Sequence, residues 1–385
     1  MNMLYGEEES RSRHLVTAAI GTARANTSQA AMGVEGTAKS QNKEYKDQAV
    51  CHTSVVLQTS MSLEMPLRDN EQASYQRALN FLMANEPEKR LDVCLSPKSF
   101  QFLDEQAHAL YGDAKYPRVQ YSAIDSRVII TTIPTALHSR SASGLQGLIS
   151  RSVRDTLIRL NKGELSDDVV LVGDSEYSIV DDQGRFSRKT PDGGLTYSDE
   201  EGKEALTIVI EAGFSESYQQ LKRDVKLWLN QFECHTAMII FSTENPSFRS
   251  PTNEGNNTCS VTERGLFESA MEHTQRVNSF GPYCFGGHTW FGTMATATIE
   301  VLKKNPTTGR IKSKKQEVVR TGQMMVQGDS VDVGLTIGDA FPPNHVAIED
   351  IREEPVLLAT HLVRKFLVSG ARRTAETRFF NFFGK

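Results

Sequence analysis

Residues 206–211, Leu-Thr-Ile-Val-Ile-Glu, give the strongest strand signal in the chain. A short apolar run of this kind, rich in β-branched residues, reads as a buried strand. Ala-Gly-Phe-Ser-Glu-Ser follows, and then SYQQLKRDVKLWL. Tyr218, Leu221, Val225 and Trp228 recur there at helical spacing, so the segment reads as an amphipathic helix capped by Ser215 or Ser217. TAMIIFS (236–242) is a second buried strand. Strand–helix–strand with apolar strands demands a mixed β-sheet flanked by helices, an α/β fold.

The flanking segments extend this plan. RVQYSAI and RVIITTI, starting at Arg118 and Arg127, read as a hairpin turning at Asp125-Ser126. A helix is expected over 139–161, with Leu145, Leu148, Ile149, Val153, Leu157 and Leu160 on its buried face and Gly163 as its stop. DVVLVG (168–173) reads as a buried strand, and 181–205 as a long polar loop with Gly184, Gly193 and Gly194. Residues 243–258 read as a loop. WFGTMATATIEVL (290–302) and IKSKKQEVVR form strands joined by a turn, VDVGLTI one more strand, and a last helix is expected over 355–368 with Pro355 at its start. Residues 1–65 lack apolar periodicity and read as a disordered tail; 66–115 read as a small helical cap; 116–385 carry the main domain.

Several classes are excluded by composition. No run of roughly 18 apolar residues is present to span a membrane. The first residues lack the apolar core of a secretory signal, which points to an intracellular protein of the nucleus or cytoplasm. Five widely spaced cysteines without a Cys-x-x-Cys pair suit a reducing compartment. The Cys284–His288 spacing falls short of the four ligands that zinc needs. The 43 basic and 48 acidic residues leave a net charge of −5, so nucleic-acid binding would need a local basic patch. Residues 300–320 provide one, with seven basic residues against two acidic.

Two carboxylates stand out by position. Asp174 follows the run DVVLVG, and Glu211 closes LTIVIE. Strand ends are where open α/β sheets place ligand groups, and a carboxylate after an apolar run must be paired or metal-bound. Two carboxylates converging on one point suit a hard cation. On pattern alone, turn-capping by Asp174 and a surface ion pair for Glu211 compete with that reading. GFSES lacks the second glycine of a nucleophile elbow, and no phosphate-binding loop is present.

GDSEY (173–177), the long loop and LTIVIEAGFSESYQQLKRDVKLWL come in an order that resembles the fungal branch of the PD-(D/E)XK nuclease superfamily. Upstream, TTIPTALH is similar to the strand-plus-His segment that opens the core in related sequences. Downstream, ATIEVLKKNPTTGR resembles their usual hairpin. The resemblance spans about 120–320. It implies a restriction-endonuclease-like mixed β-sheet flanked by helices. It further implies a Mg2+- or Mn2+-dependent nuclease acting on phosphodiester bonds of DNA, or a catalytically degenerate member that only binds nucleic acid or protein. Under it Asp174 matches the first acid, Glu211 the second, and the Ala212 carbonyl a backbone metal ligand. The lysine expected two residues after Glu211 is replaced by Gly213. Lys222, or less favourably Lys226, on the following helix is the expected substitute. Arg151, Arg154, Arg223, Lys226, Lys312, Lys314 and Lys315 are expected phosphate contacts, which position a nucleic acid without reading its sequence. A homodimer is left open.

Overall fold

The computed structural model describes residues 69–383, apart from 85, 113, 115, 174, 181–183, 215, 216, 233 and 252–259. The expected tail and Asp174 lie outside the described residues. In chain order the elements are α1 (Asp69–Ala84), β1 (Arg90–Cys94), α2 (Pro97–Tyr111), β2 (Arg118–Ser122), β3 (Arg127–Thr131) and α3 (Ala136–Arg159). Then come β4 (Val169–Leu171), β5 (Tyr177–Val180), β6 (Phe186–Lys189), β7 (Gly193–Ser198), β8 (Glu204–Gly213), α4 (Tyr218–Gln231) and β9 (Thr236–Asn245). The last part holds α5 (Val261–Val277), β10 (Tyr283–Phe285), β11 (His288–Phe291), β12 (Thr293–Lys304), β13 (Ile311–Arg320) and α6 (Thr360–Phe383).

The expected α/β architecture is present as two main sheets. The larger runs β13–β12–β9–β8–β7–β4, with a two-residue strand at Gln323–Met324 beyond β13. Only β8 and β9 pair in parallel within it, and α4 connects them. The smaller runs β1–β3–β2–β6–β5 and is antiparallel throughout. β1 thus shares a sheet with strands of the main domain, and 66–115 is not wholly helical. Leu91, read from the sequence as helical, is in this strand.

Side-chain alternation assigns each helix to a face of the large sheet. Ile208, Ile210, Met238, Ile240, Ile299 and Val301 pack with Leu145, Leu148, Ile149 and Val153 of α3. Val209, Ala237, Ile239 and Leu302, on the opposite face, pack with Leu221, Val225, Trp228 and Leu229 of α4. β8 is therefore buried on both faces, which is why it reads as a continuous apolar run. α4 starts at Ser217, whose hydroxyl accepts from the Gln220 amide while the Gln220 side chain returns to the Ser217 N–H, a reciprocal cap.

Several expectations are corrected. The run 168–173 is a three-residue edge strand rather than a buried one; Val170 and Leu171 are 42% and 50% exposed. The polar loop at 181–205 instead contains β6, β7 and the start of β8. β7 looked like a turn because of its two glycines. Gly194 is there for close backbone approach, since a Cβ on it would sit 2.3 Å from the Ile208 carbonyl oxygen. The described part of 243–258 begins with the end of β9, and VDVGLTI yields only a two-residue strand at Ser330–Val331 before a 3-10 turn. The terminal helix begins at Thr360, not Pro355, and continues to Phe383. Its Arg378 inserts between Glu244 (3.0 Å) and Glu88 (3.1 Å), with the Phe248 ring beneath the guanidinium. No helix among the described residues is long and apolar enough to cross a membrane.

Candidate active site

The chain passes from the small sheet to the large one in three residues, Thr190, Pro191 and Asp192, between the end of β6 and the start of β7. That crossing creates the site. β7 pairs with β8 so that Gly193 faces Ile210, which sets Asp192 alongside Glu211. Asp192 Oδ2 accepts the backbone N–H of Ala212 at 3.0 Å. From β6, the Lys189 ammonium reaches Glu211 Oε1 at 2.8 Å. Trp228 of α4 donates its indole N–H to the same oxygen.

Two further groups hold Asp192. Arg118 of β2 lies 3.2 Å from Oδ1, and His138 Nε2, in the first turn of α3, 3.2 Å from Oδ2. On the far wall Arg90 of β1 pairs with Asp224 of α4 at 2.7 Å. Arg127 of β3 also reaches Asp224, at 3.5 Å. Lys189, Asp192, Glu211, Arg118, His138, Arg90 and Asp224, with neighbouring residues of β2, β3 and the turn before α3, line a cavity of about 30 Å³. Such a volume holds about one or two waters.

The two carboxyls are tuned in opposite directions. Burial pushes the Glu211 carboxyl up, helped by the nearby Asp192 and Asp224 charges, and Lys189 only partly offsets this. Burial also acts to raise Asp192, but His138, Arg118 and the Ala212 N–H outweigh it and hold that carboxyl well below the usual range. Opposite displacements of neighbouring carboxyls occur at functional sites and in structural ion-pair networks alike.

The sequence-derived candidates are distributed as follows. Glu211 is in the cavity, only 7% exposed, and Ala212 is next to it, its N–H on Asp192. Asp174 lies outside the described residues. Lys222 does not stand on Glu211: its ammonium pairs with Glu300 of β12 at 3.2 Å. Glu211 takes Lys189 instead. Arg151 and Arg154 are exposed on α3, and Arg223 and Lys226 exposed on α4, on opposite faces of the large sheet. Lys312, Lys314 and Lys315 are exposed on β13; Lys314 pairs with Asp332 at 2.8 Å and Lys315 lies over the Tyr218 ring. The basic candidates therefore do not form one continuous surface.

Asp192, Lys189, His138 and Arg118 were not assigned to a site from sequence. Lys189 and the Pro191-Asp192 pair precede the strand-end Glu211 by about two dozen residues at most, but they stand among many other charged residues of 181–204, so the spacing alone did not single them out.

No family model, curated protein or solved structure matches this chain.

Among the described residues, no three His, Cys, Asp or Glu side chains form a group arranged to hold a metal ion. Asp192 and Glu211 remain the pair with suitable chemistry. Both are hard oxygen donors, and Glu211 Oε2 takes no hydrogen bond from a described residue.

Proposed function

We propose that this chain is a metal-dependent nuclease of the PD-(D/E)XK type, hydrolysing phosphodiester bonds of DNA, with Asp192, Glu211 and Lys189 as its reacting groups. One observation carries the reading: an aspartate just before one strand and a glutamate on its neighbour share a buried cavity with a lysine. In this reading Pro191-Asp192 is the first part of the motif and Glu211-Ala212-Gly213 the second, with Lys189 taking the role of the lysine missing at Gly213.

Asp192 and Glu211 would hold a magnesium or manganese ion between them. Once bound, that ion supplies Lewis-acid polarisation of a phosphoryl oxygen and activates water. Lys189, 2.8 Å from Glu211, offsets negative charge that develops on the phosphoryl group. Trp228 fixes the Glu211 carboxylate by its indole N–H. The apolar packing of α4 behind that indole keeps bulk water from the site.

A second reading, a degenerate member that only binds nucleic acid, is favoured by one observation. Both oxygens of Asp192 are already engaged, by Arg118, His138 and the Ala212 N–H.

The test uses purified full-length protein, plasmid and oligonucleotide substrates, and magnesium, manganese or chelator. Cleavage should need the ion and fall roughly a thousandfold in Asp192→Asn and in Glu211→Gln. Cleavage that survives both changes overturns the nuclease reading. Nucleic-acid binding without any cleavage selects the second one.

A further inference from the structure

The small sheet meets the rest of the fold across a seam whose charges are sorted by side. Register puts Arg90, Arg118 and Arg127 on one face of the small sheet. Lys189 points the same way, since its neighbour Arg188 pairs with Tyr121 on the other face. Asp92 is the acid on the cationic face, and Arg90 (3.2 Å) and Arg127 (3.3 Å) already hold it. Four cations less that carboxylate leave three positive charges. The opposing wall carries Asp192, Glu211 and Asp224, three negative charges that close over them. Apolar packing adds little to the closure. The core of the small half is built within residues 75–130, and its extensive helix and strand contacts all stay inside that half. Three short links, 132–135, 172–176 and 190–192, join it to the rest. Tyr177 meets Trp228 edge-on across the seam, centroids 5.8 Å apart, and beyond the cavity Glu88 on Arg378 is again an ion pair. Parting such a seam returns charges to water, which offsets much of the attraction lost. Relative motion is the default where an interface within a chain is polar.

Resting on the nucleic-acid reading above, we propose that the cationic face of the small sheet is a docking surface for a nucleic-acid backbone, masked in the closed form by Asp192, Glu211 and Asp224. The partner is identified by its charge pattern. The three carboxylates already occupy the face as a row of anions, and a phosphate backbone presents anions at regular spacing. The closed cavity, about 30 Å³, is too small for a nucleotide, so the two halves part before the backbone docks. Phosphates then replace the carboxylates on Arg127, Lys189 and the cations beside them. Arg127 has a donor to spare, because its Nε is buried without a hydrogen-bond partner among the described residues. No metal ion is needed for this exchange.

The experiment measures binding of a fluorescein-labelled oligothymidylate to the full-length protein by anisotropy, with chelator present. Asp224→Asn and Arg127→Gln break the same contact, 3.5 Å across the seam, yet should act in opposite directions. Asp224→Asn removes a masking charge and should tighten binding about tenfold, the gain expected when the open form rises from roughly a tenth to most of the population. Arg127→Gln removes a docking charge and should weaken binding about tenfold. Acrylamide quenching of tryptophan should increase in Asp224→Asn without oligonucleotide, because Trp228 lies against Tyr177 and Lys189 at the seam. Thermal melts check that the variants fold. A further measurement needs no variant: in the unmodified protein the association rate should level off as oligonucleotide rises, since parting precedes docking. Binding that Asp224→Asn leaves unchanged or weakens, or that Arg127→Gln leaves unchanged, overturns the proposal. A rate that rises in proportion throughout, or no binding by any of the three proteins, also overturns it. Cleavage in magnesium that persists after such a failure leaves the nuclease reading standing. Opposite shifts in the two variants without any cleavage keep the masked surface and select the binding-only reading.

Discussion

Asp192, immediately before β7, stands beside Glu211 of β8, yet their carboxyls are displaced in opposite directions, Asp192 down and Glu211 up. Burial raises both, so it accounts for the direction at Glu211 but not at Asp192. The difference is the partners: an arginine, a histidine and a backbone amide for Asp192, and one lysine opposed by two carboxylates for Glu211.

This contrast gives opposite pH trends in metal-free protein. Asp192 is lowered, so its stabilising contribution is present above about pH 4, its unfolded value, and is lost as pH falls through its folded value. Asp192→Asn should therefore cost about 3 kcal/mol at pH 7, because Arg118 loses its carboxylate, and progressively less below about pH 4. Glu211 is raised, so its contribution is present below its unfolded value and is lost as pH rises through its folded one. Glu211→Gln should gain on the unmodified protein as pH rises above about 4.5, the ordinary value of that carboxyl. Urea midpoints from about pH 2 to about pH 8, with chelator present, test both; parallel trends would contradict the assignment.

Lys189 and Lys222 should separate cleanly. Lys189→Ala removes the ammonium on Glu211 and should lower cleavage by roughly a hundredfold or more. Lys222→Ala breaks a half-exposed contact with Glu300, which still holds the Tyr218 hydroxyl, and should change cleavage less than about threefold. Single-turnover rates at saturating magnesium are the measurement. Equal losses would return Lys222 to the site.

Gly213 should not accept the lysine that the motif places there. A Cβ at this position would lie 2.2 Å from Leu221 Cδ1 and 3.1 Å from Phe241. Gly213→Lys should destabilise the protein by about 1–3 kcal/mol through overpacking beneath α4. It should also fail to rescue Lys189→Ala. Rescue would show that α4 can lift from the sheet.

Arg378 is 7% exposed and bridges Glu88 and Glu244. Arg378→Ala should cost about 3–5 kcal/mol by leaving two carboxylates facing each other in a largely buried place. Arg378→Lys should recover little, because the contact to Glu244 uses both carboxylate oxygens and the Phe248 ring supports a flat group. Chemical denaturation of the two variants measures the difference.

The sequence was most legible where one physical signal dominated. The buried face of α3, the β2–β3 hairpin and the β8–α4–β9 unit were all readable because apolar spacing alone specifies them. β7 was not, because Gly193 and Gly194 look like turn residues until the Ile208 backbone is seen against them. Arg90, Arg118 and His138 could not be joined to the site from sequence. They come from β1, β2 and α3, and only the closing of two sheets brings them near Glu211. Lys189 was hidden for a related reason: the polar residues of 181–205 masked the short strand that carries it. Lys222 looked better placed because helical phase alone says nothing of Glu300, which sits on a distant strand.

Lys189 ends a strand of the small sheet and Asp192 immediately precedes a strand of the large one, with two residues between them. The spacing of the ammonium from the two carboxyls is thus a hinge angle in disguise. An insertion at Thr190 or Pro191, or any tilt of one sheet against the other, would pull the ammonium from the acids before disturbing either core. This cluster can be taken apart without losing any of its side chains.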